Sequence, residues 1–326
     1  MIGKMQPPLL GHFAAGPTDE DAMTESGAPL HVPVMLEESL RLLDPQPGET
    51  LVDGTLGAGG HSRAILTALG AAGRLIGVDR DPNMAQIARG KLLGVSTGAN
   101  VEILTGHFGD LKSLLATVGV AEADSVLLDL GVASPQLDDP SRGLSYRADG
   151  PLDMRLTPDV ELSAEEWINQ VSQDELAQVL REYGEERFSG RIARAIVEAR
   201  ARKPIRRTGE LAEIIMRSVP RGPRRLHPAR RSFQALRIRI NEEMQQLEHF
   251  LAALPGLLAD GGRCAIISYH SLEDRRVKNA FREGLKDDYY ELLTRKPMRP
   301  SFAEVSANPR SRSARLRAVR KEGIET

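Results

Sequence analysis

The feature that most constrains this chain is a regular alternation between short apolar segments and segments with helical spacing. Four apolar segments have the length of buried strands: Thr50–Asp53, Arg74–Asp79, Val101–Leu104 and Ser125–Asp129. Strands that alternate with helices at this spacing are typical of right-handed βαβ units. The sequence therefore predicts an α/β fold with a doubly wound, mostly parallel sheet.

The alternation stops after the fourth segment. Residues from about 140 to 240 place apolar side chains at helical spacing and show no strand-like segment. A helix over about 242–258, a strand at Arg263–Ser268 and an antiparallel pair at Tyr289–Leu293 and Ala314–Val319 then complete the sheet. The predicted organisation is a disordered tail over 1–30, an α/β domain over 31–139 and 241–326, and an all-helical domain inserted over 140–240.

Charge is segregated along a chain that is nearly neutral in total. It has 43 basic and 45 acidic residues, a net charge of -2. Residues 31–180 carry 10 basic and 22 acidic side chains, residues 181–240 carry 17 and 6, and residues 295–321 carry 9 and 1. Such segregation favours a polyanionic partner for the basic stretches. Arginine-rich helices that only face solvent, or pair with the acidic part, would give the same pattern.

Cysteine content and hydropathy exclude several classes of protein. The single cysteine, Cys264, rules out a disulfide framework and a cysteine-built zinc site. It lies in a predicted buried strand, which argues against a role as a nucleophile. No apolar run approaches the roughly 18 residues that a membrane span needs, and the first residues lack a signal-peptide layout. We expect a cytoplasmic protein with no bound metal and no membrane contact.

A glycine-rich turn follows the first predicted strand, after Asp53, with glycines at positions 54, 57, 59 and 60. Such a turn lets the backbone approach a ligand closely. Asp79 ends the second strand, 22 residues after Gly57, where a carboxylate can accept hydrogen bonds from ribose hydroxyls. Dinucleotides and S-adenosylmethionine both suit this arrangement. The dinucleotide fingerprint is incomplete, because Ser62 stands where its third glycine belongs.

Longer motifs resemble one family closely: the bacterial S-adenosylmethionine-dependent methyltransferases of small-subunit ribosomal RNA, cytosine N4 type, known as the RsmH or MraW family. The motifs run in family order from about residue 31 to residue 317. They are Asp53–Ser62, Val78–Pro82, Leu128–Asp138, Asp149–Arg155, Tyr183–Phe188, His227–Gln234 and Ser268–Arg275.

The resemblance implies a Rossmann-like methyltransferase domain with S-adenosylmethionine as cofactor. It also implies cofactor-binding residues: Gly59, Gly60 and His61 at the methionine end, Asp79 at the ribose, Phe108 and Asp129 beside the adenine, and Gln136 completing the pocket. Two departures from the family pattern are mild. Leu56 stands where many members have Phe, and His107 where Pro is usual.

The family's substrate is the N4 amine of a cytidine in the decoding region of 16S ribosomal RNA, within the small ribosomal subunit. The resemblance therefore makes the arginine-rich stretches candidates for phosphate contacts. The residues we single out are Arg225, Arg230, Arg231, Arg312 and Arg315. Aromatic residues are scarce, so recognition of RNA shape and backbone is favoured over a broad stacking platform.

No catalytic residue is assigned from the sequence. The cytosine amine is a poor nucleophile, so catalysis depends on positioning and on acceptors for its protons. Asp53, the Ser134 hydroxyl and the backbone carbonyls around 132–135 are candidate acceptors. His270 could take the proton afterwards, although a histidine before a helix is more often a cap, and Ser271–Asp274 resembles a capping box.

Two other function classes stay open beside methyl transfer. They are an NAD-type dinucleotide oxidoreductase and a catalytically silent ribosome-assembly factor. The sequence does not predict an oligomeric state.

Overall fold

The structure is a computed structural model that describes residues 33–220 and 227–323. In this part of the chain, seven strands form one sheet in the order β3-β2-β1-β4-β5-β7-β6. The strands are β1 (Thr50–Asp53), β2 (Arg74–Asp79), β3 (Asn100–Thr105), β4 (Ala123–Asp129), β5 (Leu258–Ser268), β6 (Tyr290–Leu292) and β7 (Arg315–Lys321). Strands β1 to β5 pair in parallel, and β7 pairs antiparallel with both β5 and β6. The predicted α/β fold class and the closing antiparallel pair are confirmed.

Helices cover both faces of the sheet and fill the long connection between β4 and β5. They are α1 (Leu36–Leu43), α2 (Gly60–Leu69), α3 (Pro82–Leu92), α4 (Leu111–Thr117), α5 (Ser134–Asp138), α6 (Ala164–Gln170), α7 (Gln173–Glu182), α8 (Ser189–Arg200), α9 (Thr208–Ser218), α10 (Ala229–Ile240), α11 (Glu243–Ala253), α12 (Ser271–Lys286) and α13 (Phe302–Ala307). In the described part of 140–240 the only extended pairing is an isolated bridge between Pro151 and Arg207.

Alternate residues of the strands enter different hydrophobic clusters. Leu51 and Leu75 belong to one cluster, whereas Val52 and Ile76 belong to another, because successive side chains of a strand point to opposite faces. Helices α6 to α10 share a third cluster, built from residues 144–240. The helical segment thus has a core of its own, and the domain boundaries at 139/140 and 240/241 stay a prediction.

Three sequence predictions need correction or comment. Strand β5 begins at Leu258 rather than Arg263, because Gly261 and Gly262 are taken into the strand through a register shift against β4. The preceding helix ends at Ala253, and a 3-10 turn follows it. The predicted tail over 1–30 lies outside the described residues.

Cys264 is fully buried in β5, as expected for a core residue. Within residues 33–220 and 227–323, no helix combines the length and the apolar character that crossing a membrane requires.

Candidate cofactor and substrate site

The carboxyl ends of three neighbouring strands bring three aspartates to one edge of the sheet. Asp53 ends β1, Asp79 ends β2 and Asp129 ends β4. Strand β1 pairs in parallel with both β2 and β4, so the three strand ends lie side by side. Ligands of open α/β sheets bind in the crevice outside this edge. Two predicted cofactor residues, Asp79 and Asp129, and the catalytic candidate Asp53 therefore lie at the sheet edge where such ligands bind.

The glycine turn between β1 and α2 is tied to the end of β2. Gly57 and Gly59 have φ values of 51° and 79°, which favour glycine. The Gly57 amide donates a hydrogen bond of 2.7 Å to Oδ2 of Asp79. At Gly60, a Cβ atom would lie 2.6 Å from Cγ of Pro33. The turn thus requires small residues at the predicted methionine end of the pocket.

Asp53 stabilises this turn through two hydrogen bonds. It is 2% exposed, and its Oδ2 accepts a hydrogen bond of 2.6 Å from the Ser62 hydroxyl. Its Oδ1 accepts one of 3.2 Å from the Thr55 amide. Burial raises the pKa of the Asp53 carboxyl, against the lowering effect of these hydrogen bonds. Both oxygens are engaged within the turn, so Asp53 is better suited to hold the loop than to accept protons from a substrate.

The Asp79 carboxylate accepts two backbone hydrogen bonds, one on each oxygen. The Gly57 amide donates a hydrogen bond to Oδ2, and the Asp81 amide donates a hydrogen bond of 2.8 Å to Oδ1. Each carboxylate oxygen has a second lone pair, so two hydroxyls of a ribose can still bind there. Burial raises the pKa of this group, while the backbone donors lower it.

Asp129 lies at the centre of a small polar group. Its Oδ1 accepts a hydrogen bond of 2.7 Å from the Tyr269 hydroxyl, and its Oδ2 lies 3.8 Å from Nδ1 of His61. Its backbone amide donates 2.5 Å to Oγ1 of Thr55, which links β4 to the glycine turn. Burial raises the pKa of Asp129 to about 7, although the Tyr269 hydrogen bond lowers it.

His61 is buried at the start of α2. Its Nε2 lies 3.0 Å from the Val34 carbonyl oxygen, which is within hydrogen-bond distance, and burial lowers its pKa. Met35 is held in turn, because its amide donates 2.7 Å to Oε1 of Glu304 in α13. His61 therefore connects the glycine turn to the segment that precedes α1.

Gln136 reaches the site through Asp81 rather than directly. Its Nε2 donates 2.8 Å to Oδ2 of Asp81, and its Oε1 accepts 2.9 Å from the Ala133 amide. Arg142 donates 2.9 Å to the same Asp81 oxygen. This contact joins α3 to the chain that follows α5. Asp81, Arg142, Thr55 and Tyr269 were not predicted from the sequence to take part in the site.

Phe108 is half-buried and lies against the first residue of the glycine turn. The Phe108 ring packs edge-on against the Phe250 ring, with the two ring centroids 6.2 Å apart. A Cβ atom added to Gly54 would lie 3.4 Å from the Cβ atom of Phe108. One side of Phe108 thus packs into the core. The prediction that it flanks the adenine is untested.

The two remaining catalytic candidates differ in their surroundings. Ser134 is half-buried at the first position of α5, on the loop that follows Asp129. His270 is the N-cap of α12, and it forms the capping box with Glu273. The expected box at Ser271–Asp274 was therefore one residue too late, because the His270 ring, not the Ser271 hydroxyl, faces the Glu273 amide. Ser271 donates to Oε2 of Glu185 instead.

One group of possible metal ligands occurs among the described residues: Glu243, His270 and Glu273. Arg237 donates hydrogen bonds of 2.8 and 2.9 Å to the two oxygens of Glu243. A guanidinium already neutralises this carboxylate, so the donor set resembles a buried ion-pair cluster more than a metal centre.

The arginines predicted to bind RNA fall into four situations. Arg225 lies outside the described residues. Arg230 and Arg312 are exposed, and no hydrogen bond or ion pair joins either side chain to another described residue. Arg231 is exposed and donates to the Glu185 carbonyl. Arg315 is only half exposed, because it pairs with Asp274 at 3.0 Å.

A mostly parallel sheet of this order with one antiparallel strand, β7, a glycine turn after β1 and carboxylates ending β1, β2 and β4 defines a Rossmann-like S-adenosylmethionine-dependent methyltransferase. The aspartates and the glycine turn fit that cofactor, because they offer acceptors for hydroxyls and negative charge for a sulfonium cation. Residues 28–322 match the family model described as the MraW methylase family. The chain belongs to this family.

Curated relatives agree with this assignment over most of their length. "Ribosomal RNA small subunit methyltransferase H" of Syntrophotalea carbinolica is 46% identical over 308 residues, which cover 89% of this chain and 98% of that protein. The protein of the same name from Heliobacterium modesticaldum is 44% identical over 309 residues, with 89% and 98% covered. The one from Rhodospirillum centenum is 44% identical over 323 residues, with 94% and 96% covered.

Proposed function

We propose that this protein transfers a methyl group from S-adenosylmethionine to the exocyclic N4 amine of a cytidine in the decoding region of 16S ribosomal RNA, within the small ribosomal subunit. The observation that carries the proposal is the family match over residues 28–322, which spans both the aspartate edge and the helical segment. The names of the relatives supply the RNA class.

The cofactor pocket uses the residues gathered at the sheet edge. Gly59, Gly60 and His61 bind the methionine end, and Asp79 binds the ribose with the lone pairs that its backbone donors leave free. Phe108, Asp129 and Gln136 surround the adenine; the last of them acts by fixing the Ala133 amide. When bound, the cofactor supplies an electrophilic methyl group on a sulfonium.

The substrate amine needs acceptors that orient its protons before attack. The loop after Asp129 offers the carbonyls of residues 132–135 and the Ser134 hydroxyl, which makes no hydrogen bond to another described residue. The target base has to leave its stack to reach this loop. Proton acceptance by Ser134 or these carbonyls is favoured over Asp53, whose oxygens are engaged in the turn.

The helical segment over 140–240 is the proposed RNA-recognition part, together with the basic stretch 295–321. Exposed Arg230 and Arg231 begin α10, and Arg312 lies just before β7. Cations that are free of carboxylate partners can neutralise phosphates without first breaking an ion pair.

The test uses small subunits that lack the modification, incubated with methyl-labelled S-adenosylmethionine, followed by mass spectrometry of the nucleosides and of the RNA fragments. We expect label on N4 of one cytidine in the decoding region. Label on another atom or nucleotide would contradict the substrate. Cofactor binding without any transfer would favour the silent assembly factor.

Calorimetry distinguishes the methyltransferase from the remaining alternative, a dinucleotide oxidoreductase. We expect S-adenosylmethionine to bind and Asp79→Ala to weaken binding by about 1–3 kcal/mol, the range for hydrogen bonds to a charged group. The exposed Glu283→Ala is the matched control. Tight binding of NADH would instead support an oxidoreductase.

A further inference from the structure

Phe302 is the most exposed large apolar side chain of the described residues. It is 89% exposed, ahead of Leu93 at 79%. No other aromatic ring of the described residues packs against it. Single exposed apolar side chains are common on protein surfaces, so the exposure of Phe302 gains meaning only together with the residues that accompany it in the same segment.

The helix that carries Phe302 is fixed on its opposite side. Phe302 and Glu304 are two positions apart in α13, so their side chains leave the helix in nearly opposite directions. Glu304 accepts the Met35 amide at 2.7 Å. Met298, just before this helix, exchanges backbone hydrogen bonds of 2.9 and 3.0 Å with Leu316 of β7. Phe302 is therefore presented to solvent by an anchored segment.

This segment lies at the edge of the sheet that holds the cofactor residues. Arg315, at the start of β7, pairs with Ser268, at the carboxyl end of β5. Glu304 contacts the chain one residue from Val34, whose carbonyl lies beside His61. The anchored segment that carries Phe302 thus lies at the rim of the methyl-transfer site.

Three cations without partners precede the ring by three to seven residues in the same segment. Arg295, Lys296 and Arg299 are exposed, and none of their side chains forms an ion pair or hydrogen bond with another residue in 33–220 or 227–323. An aromatic side chain among unpaired cations matches the two parts of an unpaired nucleotide, because the ring can stack on the base while the cations neutralise phosphates.

We propose that Phe302, Arg295, Lys296 and Arg299 form an RNA-binding rim patch, in which Phe302 stacks on an unpaired base of the substrate RNA. The inference rests on the proposed function and adds a stacking contact that positions RNA beside the target nucleotide. A single ring of this kind is compatible with the scarcity of aromatic residues in the chain, since it is one contact and not a platform.

The first test compares Phe302→Ala with Phe302→Trp in methyl transfer to unmodified small subunits. We expect KM for the subunit to rise about tenfold in Phe302→Ala, which lies within the range for the loss of stacking on one base. The affinity for S-adenosylmethionine should not change. Phe302→Trp should stay close to the unsubstituted protein, and Leu93→Ala is the control for loss of an exposed apolar side chain outside the proposed patch. An unchanged KM in Phe302→Ala would overturn the proposal.

The second test measures stacking on RNA without methyl transfer, so its result can be interpreted even if the proposed methylation is not observed. In Phe302→Trp, fluorescence of the new indole is followed after subtraction of the signal of Trp167, the one native tryptophan. We expect quenching by single-stranded fragments of small-subunit RNA and none by heparin, which has negative charge but no bases. Equal responses to the two polyanions, or no response to RNA, would overturn stacking.

The cations are tested by the salt dependence of RNA binding. Arg299→Glu should weaken binding and lower the slope of log affinity against log salt by about 1, as for a lost phosphate contact. Lys286→Glu reverses an exposed charge at the end of α12 and should leave the slope unchanged. A slope in Arg299→Glu equal to that of the unsubstituted protein would remove the cations from the patch.

Discussion

The hydroxyl of Tyr269 donates a hydrogen bond of 2.7 Å to Oδ1 of Asp129, across 140 residues of sequence. The tyrosine follows β5 and the aspartate ends β4, so the bond spans two adjacent strand ends. It stabilises the charged form of a carboxyl whose pKa burial raises to about 7. Burial is the main influence on the protonation of this site residue, and a residue that no local motif connects to it opposes the effect of burial.

Substitution Tyr269→Phe should raise the pKa of Asp129 further, because the hydrogen bond from the tyrosine hydroxyl favours the charged carboxylate and would be lost. If the carboxylate form binds cofactor, affinity for S-adenosylmethionine rises with pH through about 7 in the unsubstituted protein. The midpoint should move to higher pH in Tyr269→Phe. Calorimetric titrations across pH measure it, with the exposed Tyr289→Phe as control. Identical midpoints would contradict a link between the two residues.

Asp129→Asn should change how stability depends on pH. The folded-state pKa of about 7 exceeds the ordinary 3.8, so Asp129 costs stability increasingly as pH rises through this interval. In the absence of cofactor, we expect the variant to gain free energy of unfolding relative to the unsubstituted protein, on the order of 2 kcal/mol at about pH 8 and little at about pH 4. Urea unfolding measures both. The exposed Asp287→Asn should show no such trend, and a gain independent of pH would refute the assignment to Asp129.

Gly59→Ala should destabilise the protein and weaken cofactor binding. Gly59 has a φ of 79°, where an L side chain is strained by about 1–2 kcal/mol. Gly90 lies within α3, and a Cβ atom there would meet no other atom within 4 Å, so Gly90→Ala should stabilise by about 0.5–1 kcal/mol. Thermal unfolding compares the pair. Equal effects of the two substitutions would show that the turn is not held in this conformation.

Arg312→Ala and Arg315→Ala should separate RNA binding from stability. Arg312 is exposed, so its loss should weaken RNA binding and lower the salt slope by about 1. Arg315 pairs with Asp274, which also binds Arg317 at 2.7 Å, so its loss should mainly lower the unfolding temperature. Filter binding at several salt concentrations and thermal melts distinguish the two. A larger RNA defect in Arg315→Ala would reverse our ranking.

The sequence predicts well which aspartates lie at the edge of the sheet, but it predicts poorly which residues bind to those aspartates. Asp53, Asp79 and Asp129 each end an apolar segment, so their meeting follows from parallel pairing alone. The partners of these residues depend on tertiary packing: Tyr269 reaches Asp129 only because β5 lies beside β4. Propensity also misplaces ends, since the glycines before Arg263 suggest a turn while pairing with β4 extends the strand through them.

Polar contacts between segments that are distant in the chain also depend on tertiary packing, so the sequence does not predict them. Arg142 follows α5 in the chain, yet it binds Asp81 at the start of α3. No periodicity marks an arginine at the end of a short 3-10 helix as the partner of a distant carboxylate. Spacing also cannot tell a free cation from a paired one, which is why Arg312 and Arg315 look alike in the sequence and differ in the structure.

Strand β5 pairs with β4, although the whole helical segment separates them in the chain. During synthesis the amino-terminal strands emerge early, while their neighbour in the sheet is translated only after helices α6 to α10. These helices share a hydrophobic cluster of their own, so they can condense through local contacts while β4 still lacks its partner. Strand β5 closes the sheet beside β4 and brings Tyr269 to Asp129, so the complete edge can form only after the whole helical segment has been translated.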